Sequence, residues 1–272
     1  MLIPRFWARA AEGSRTSLGW SDASTADAER MAHERLARVL ELERGGSPAD
    51  WDYYPSSPVK EEILATPLVP GVNVVITRNQ SGALVLNTDR VAFVDVDLKE
   101  RGASALAAIA GWFGRRKAAR ESEEVKALLR SREWAESNSA SLRVYRTARG
   151  LRLLRMDELV DPSGDECERM FTALSADPQY GRLCRAQRSF RARLSPKPRR
   201  VDCPAAPGSH PRTDAEIAAK FRRWLESYER ASAEKSVCEL IAEFGTKHAV
   251  APVRAVAEIH DRYTLRDGAD LA

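Results

Sequence analysis

The sequence predicts an α+β fold built on a β-α-β-β-α-β core, with an N-terminal α/β extension and C-terminal helices. Three observations carry that prediction. Between Val72 and Val96, three short β-branched or apolar runs are separated by turn residues. From Ala103 to Glu136 the apolar residues change to helical spacing. Leu142 to Met156 then reads as two strands around Ala148-Arg149-Gly150, which is hairpin spacing with a glycine where positive φ is useful.

With 272 residues, 43% hydrophobic and 30% charged, the chain can bury a sizeable core and is not compositionally disordered. It suits one large domain with appendages, divided here into 1–70, 71–200 and 201–272. Apolar runs such as Ala103 to Phe113 fall far short of the ~20 residues that cross a bilayer. Arg5, Arg9 and Glu12 interrupt any leader-like stretch, so a cytoplasmic address without a membrane partner is expected. Cys167, Cys184, Cys203 and Cys238 are widely spaced and expected to be reduced, and Cys203 with His210 supplies only half a zinc site.

Phe6, Trp7 and Trp20 make the first twenty residues too aromatic for a loose tail. Ser24 with Asp27 caps a helix that runs to about Glu43. A loop rich in proline and aromatics extends to Pro70, with a helical turn near Val59 to Leu64. Strands are predicted at Val72–Thr77, Ala83–Leu86 and Val91–Val96, the last apolar enough to be central and covered on both faces. Helices follow at 103–119 and 122–136, strands at Leu142–Thr147 and Leu151–Met156, a helix at Ser163–Ser175 and a strand at Ser189–Leu194. Two or three helices close the chain, the first capped by Thr213 and striped by Ile217, Phe221, Trp224 and Tyr228. From Val91 onward this is the order of a ferredoxin-like or RNA-recognition sheet, in which the first and third strands are neighbours.

The chemistry concentrates in Phe93-Val94-Asp95-Val96-Asp97. Strand alternation points Asp95 and Asp97 to one face, ~6–7 Å apart, where two carboxylates repel. Either a divalent cation joins them, Mg²⁺ or Mn²⁺ suiting oxygen ligands, or Asp97 caps the strand while Asp95 pairs with an arginine. A second feature is the run from Arg182 to Arg200, rich in arginine and free of acids. On a strand, Arg191 and Arg193 share one face and Phe190 and Ala192 the other. Such cations can bind a nucleic-acid backbone or form a solvated face balanced by acids elsewhere.

An apolar strand ending in D-x-D, followed by helices and a basic strand-turn-strand, resembles the archaeo-eukaryotic primase superfamily. The resemblance spans about residues 72–200. It implies Asp95 and Asp97 as metal ligands for nucleotidyl transfer, with a third acid for which Asp157 is the first choice beside Asp161 and Asp202. It also places nucleotide phosphates near Arg146, Arg149 and Arg152. Where that superfamily carries a small-x-His motif, Thr147-Ala148-Arg149-Gly150-Leu151-Arg152 has no histidine; an arginine grips phosphate but does not exchange protons near neutrality. Gly19-Trp20-Ser21-Asp22 and the Arg182–Arg199 segment also resemble a bacterial protein family that brings no activity with it.

Arg188, Arg191, Arg193 and Lys197 are the candidate nucleic-acid contacts, with Tyr180 or Phe190 available to stack a base. His33, His248 and His260 read as surface or capping histidines. No phosphate-binding glycine loop, Rossmann fingerprint, kinase motif or G-x-S-x-G is present. Three readings result: a Mg²⁺- or Mn²⁺-dependent nucleotidyltransferase using nucleoside triphosphates, a DNA- or RNA-binding module without that chemistry, and a regulatory interaction protein.

Overall fold

The computed structural model describes residues 1–44, 58–98 and 112–272. In chain order the elements are β1 (Phe6–Glu12), β2 (Arg15–Ser21), α1 (Thr25–Glu43), β3 (Glu62–Ala65), β4 (Val74–Arg78), β5 (Leu84–Thr88) and β6 (Phe93–Asp97). Then come α2 (Trp112–Ser137), β7 (Ser141–Thr147), β8 (Gly150–Arg155), α3 (Asp165–Leu174), α4 (Pro178–Gln187) and β9 (Phe190–Arg193). A 3-10 turn at Pro198–Arg200, α5 (Ala215–Ser232), β10 (Cys238–Gly245) and α6 (Ala251–Thr264) complete the chain. The fold is α+β with antiparallel sheets. Among the described residues no helix is long and apolar enough to cross a membrane.

The N-terminal unit is a hairpin, β1–β2, under α1. Ser24 caps α1 as expected, its hydroxyl accepting from the Asp27 amide at 3.0 Å. Helix and hairpin approach so closely that a Cβ on Gly19 would lie 2.1 Å from the Ala28 carbonyl oxygen. The hairpin itself is not foreseen by the sequence reading. Ala8, Ala10 and Ala11 are poor strand formers, and their strand is made by pairing and by the packing of Ala10 on Ala32 and Leu36.

Two four-stranded sheets form the body, in the orders β3-β4-β5-β9 and β10-β7-β8-β6. The expected neighbours, β6 and β8, do pair, in antiparallel register with Asp95 opposite Arg152 and Asp97 opposite Gly150. The predicted last strand, β9, pairs with β5 rather than β6, so β6 is a hydrogen-bonding edge although Phe93 and Val94 are fully buried. Tyr180 covers that edge: its hydroxyl lies 3.1 Å from the Phe93 carbonyl oxygen and 3.2 Å from the Arg191 amide, linking β6 to β9. The Asp177 amide donates to the Asp95 carbonyl at 3.0 Å, satisfying the next edge acceptor.

Several boundaries differ from expectation. The segment near Leu64 is strand β3 instead of a helical turn, and Pro178–Gln187 is a helix inside the basic run. Asp214, not Thr213, caps α5, accepting from the Ile217 amide at 2.9 Å. Cys238–Gly245, expected as helix, is β10 and pairs with β7 across a bulge between Leu240 and Ala242. The helix expected at 103–119 falls partly outside the described residues, and the helix expected at 122–136 is the body of α2. Gly150 does not have positive φ; its value is close strand approach, since a Cβ there would sit 2.0 Å from the Val96 carbonyl oxygen. α2 and α3 lie against the sheet on the side of Arg155, whose guanidinium stacks over Trp134. On the other side, α6 brings His260 against Phe93 and Tyr145.

Candidate anion-binding site

The site grows from the β6–β8 register. Directly opposed residues of an antiparallel pair share a face, so Asp95 and Arg152 meet, with Arg152 Nε 3.0 Å from Asp95 Oδ1. Arg152 is only 3% exposed, whereas the Asp95 side chain is 37% exposed. The guanidinium also donates through Nη1 to the Arg193 carbonyl of β9 at 2.9 Å. Arg152 therefore ties the two sheets together at the foot of the basic segment.

Behind Arg152 lies a network that sequence reading did not suggest. Arg152 Nη1 is 3.3 Å from His260 Nε2. A guanidinium has only donors, so Nε2 must accept, which leaves the Nδ1 proton to bond Asp261 Oδ1 at 2.9 Å. The Tyr145 hydroxyl donates to the same carboxylate oxygen at 2.8 Å, and Arg143 Nη1 reaches Asp261 Oδ2 at 3.1 Å. Burial, opposed by Asp261 and reinforced by Arg152, holds His260 below its ordinary pKa of 6.5. Burial and Asp261 also raise the Tyr145 phenol. His260 is thus a neutral, fully buried core histidine and not the surface residue expected. Positions 152 and 260 carry no shared motif, so only the fold reveals the contact.

In front of Arg152 the cations gather. Arg193 is half-buried at the end of β9; burial and then Arg152 lower its proton affinity to a pKa of about 10. Lys197 precedes the 3-10 turn, its carbonyl accepting from the Arg200 amide at 2.8 Å. Burial, then Arg193, Arg200, Arg199 and Arg149, push its amine down to about 8. Among the described residues, no carboxylate lies within 4.0 Å of the Arg193, Lys197 or Arg149 side chains. Asp95 is the acid that favours the Arg193 charge, without reaching ion-pair distance.

The other candidate residues are placed differently. Arg146 is held by Glu124 at 2.6 Å and Glu239 at 2.9 Å. Arg191 is bound by Glu61 at 2.5 Å, so its charge is already met. Arg188 terminates α4 in the left-handed region, φ 49°. Asp157 accepts from the Ser141 amide at 2.8 Å and pairs with Arg155 at 3.2 Å. It lies five positions along the chain from Arg152, past the end of β8 away from Gly150, ~17 Å from Arg152 at strand rise. It therefore does not complete a site with Asp95 and Asp97. Among the described residues, no group of three or more His, Cys, Asp or Glu side chains is placed to hold a metal ion. Phe190 is fully buried and cannot stack a base, while half-buried Tyr180 has its hydroxyl engaged at the sheet junction.

The arrangement can attract and hold an anion of spread charge. Four cations on two loops and a strand end, two of them with depressed proton affinity, repel one another until an anion joins them. Comparison of the chain with family models, curated proteins and solved structures finds no match.

Proposed function

We propose that this protein binds nucleic acid through its phosphate backbone, with Arg149, Arg193, Lys197 and Arg199 as the contacts. The observation that carries the reading is the unpaired state of Arg193 and Lys197 while Arg146 and Arg191 nearby are each neutralised by glutamates. A half-buried cation without a counter-charge costs stability, and a phosphate run supplies that charge with release of condensed counterions. The pairings of β6 with β8 and of β7 with β8 are the strand neighbours that the expected β-α-β-β-α-β order shares with this sheet, since β9 pairs with β5 instead. The catalytic version, nucleotidyl transfer with Mg²⁺ or Mn²⁺ on Asp95 and Asp97, is the second reading, favoured by the exposure of Asp95 beside the cations.

Fluorescence polarisation with a labelled single-stranded oligonucleotide tests the proposal. Binding that weakens at least tenfold between 50 and 200 mM salt, about the loss for several phosphate contacts, supports it. Absence of binding at 50 mM salt removes it. Incorporation of labelled nucleotide with Mn²⁺, lost in Asp95→Asn, would move the conclusion to the second reading.

A further inference from the structure

We infer that a cleft between the N-terminal hairpin and the β3-β4-β5-β9 sheet binds a nucleoside monophosphate, its base against Trp20 and its phosphate between Arg35 and Lys60. The cleft has a volume of about 640 Å³, and its walls include Trp7, Leu18, Trp20, Arg35, Lys60 and Gln187. That is within the ordinary range for small-molecule sites.

The aromatic wall follows from the strand pairing. Ala10 packs on α1 through Ala32 and Leu36, so Trp7, three positions earlier on β1, belongs to the other face of the hairpin. Trp20 is directly opposite Trp7 in the β1–β2 register and shares that face. The two ring centres lie 5.7 Å apart with the planes at 46°, tilted rather than stacked on each other. Trp7 is buried and its Nε1 donates to the Pro4 carbonyl at 3.1 Å, whereas half-buried Trp20 keeps ring surface at the cleft. Leu18, exposed on the same strand, extends that wall.

Two cations stand on these rings. The Arg35 guanidinium, from α1, lies 4.6 Å from the centre of the Trp20 ring, and the Lys60 amine lies 5.9 Å from that of Trp7. A ring face attracts a cation without neutralising it. Among the described residues neither cation has a carboxylate within 4.0 Å. Glu61 follows Lys60 in the chain but is already engaged: Oε1 accepts from Arg191 at 2.5 Å and Oε2 from the Thr77 hydroxyl at 2.6 Å. Burial, and then Arg9, lower the proton affinity of Lys60, and a neighbouring anion would restore it. A phosphate monoester carries about 1.5–2 negative charges near neutrality, which matches two unpaired cations.

The base edge also finds a donor. Arg191 can only donate, so Gln187 turns its Oε1 to Arg191 Nη1, at 3.2 Å. The side-chain NH₂ of Gln187 is left for an acceptor on the base edge. The site shares no residue with the contacts proposed above for a phosphate backbone, so it does not rest on that reading.

Isothermal titration calorimetry of the full chain with AMP, ribose 5-phosphate and adenosine tests the inference. AMP should bind at least about fivefold tighter than ribose 5-phosphate, the least that stacking one base on an aromatic ring supplies. Arg35→Gln and Lys60→Gln, which leave the hydrophobic core intact, should each weaken AMP several-fold and leave adenosine unchanged. Trp20→Leu should abolish the preference for AMP over ribose 5-phosphate; if that variant unfolds, the two glutamine variants still decide. Equal affinities for AMP and ribose 5-phosphate, or AMP binding indifferent to both glutamine variants, would overturn the inference. Displacement of bound AMP by oligo(dA) would identify the natural occupant as a nucleotide within a strand, and retention of AMP beside saturating oligo(dA) as a free nucleotide. Selective AMP binding by a chain that binds no oligonucleotide would leave this site standing and remove the backbone reading. Oligonucleotide binding without AMP binding would do the reverse.

Discussion

Arg152 and Asp95 face each other across β8 and β6 with 3.0 Å between Nε and Oδ1, one almost wholly buried and the other half in water. The two carboxylates of β6 sit in different surroundings. Asp95 compensates an interior cation, while Asp97, opposite Gly150 at the strand end, is exposed. The charge left over on this side of the molecule is positive, from Arg193 and Lys197 onward.

Removing the carboxylate should strand Arg152. Asp95→Asn keeps one acceptor oxygen and is expected to destabilise by about 2 kcal/mol, less than a fully buried pair because Asp95 is partly hydrated. Urea unfolding measures it; an unchanged midpoint would show that Arg152 is satisfied by Arg193 and His260 without Asp95.

The His260 network predicts a pH response. Its folded pKa lies below the unfolded value of 6.5, so between those values the unfolded chain binds the extra proton. Stability from this group is therefore present above pH 6.5 and is lost as pH falls through the folded pKa. His260→Gln should lower the melting temperature at pH 7.5, through lost packing and the Arg152 contact, and lose less further stability than the parent between pH 7 and pH 5. Parallel pH profiles for the two proteins would contradict this account.

Gly150 sets the distance between β8 and β6. Gly150→Val places methyl groups against the Val96 carbonyl and should cost about 1–3 kcal/mol, as overpacking does. Thermal unfolding reads it, and near-neutrality would mean that β6 can move outward freely.

The Tyr180 hydroxyl joins the two sheets between β6 and β9, beside the Arg152 bond to the Arg193 carbonyl. Tyr180→Phe leaves the ring packed on Phe171 and Phe93's carbonyl without its donor, a loss of about 1–3 kcal/mol for unmet buried groups. Hydrogen exchange of the Arg191 amide should accelerate, since its acceptor is that same oxygen.

Much of the fold was legible because local signals agreed with tertiary pairing. The apolar run Val91–Val96, the Ala148-Arg149-Gly150 turn and the Ser24 cap each report their own structure. β10 was not legible: Glu239, Leu240, Ala242 and Glu243 favour helix, and the bulge at Leu240/Ala242 breaks the alternation that marks a strand. β1 is built from alanines that only packing turns into a strand. Of the site, the acidic pair and the basic run could be read directly, but their partners could not. Glu61 lies 130 positions from Arg191 and His260 lies 108 from Arg152, and no spacing rule links them. The run of arginines looked like one surface, yet Glu61 removes Arg191 from it while Arg193 stays unpaired.

The salt dependence of oligonucleotide affinity in three variants tests the central claim most directly. Arg193→Gln with Lys197→Gln should weaken binding and flatten the log–log salt slope by about 1.4–1.8, two phosphate contacts' worth. Arg191→Gln should leave the slope unchanged, since its charge already belongs to Glu61. A flattened slope in Arg191→Gln beside an unaltered slope in the double variant would contradict the account and place the anion surface elsewhere.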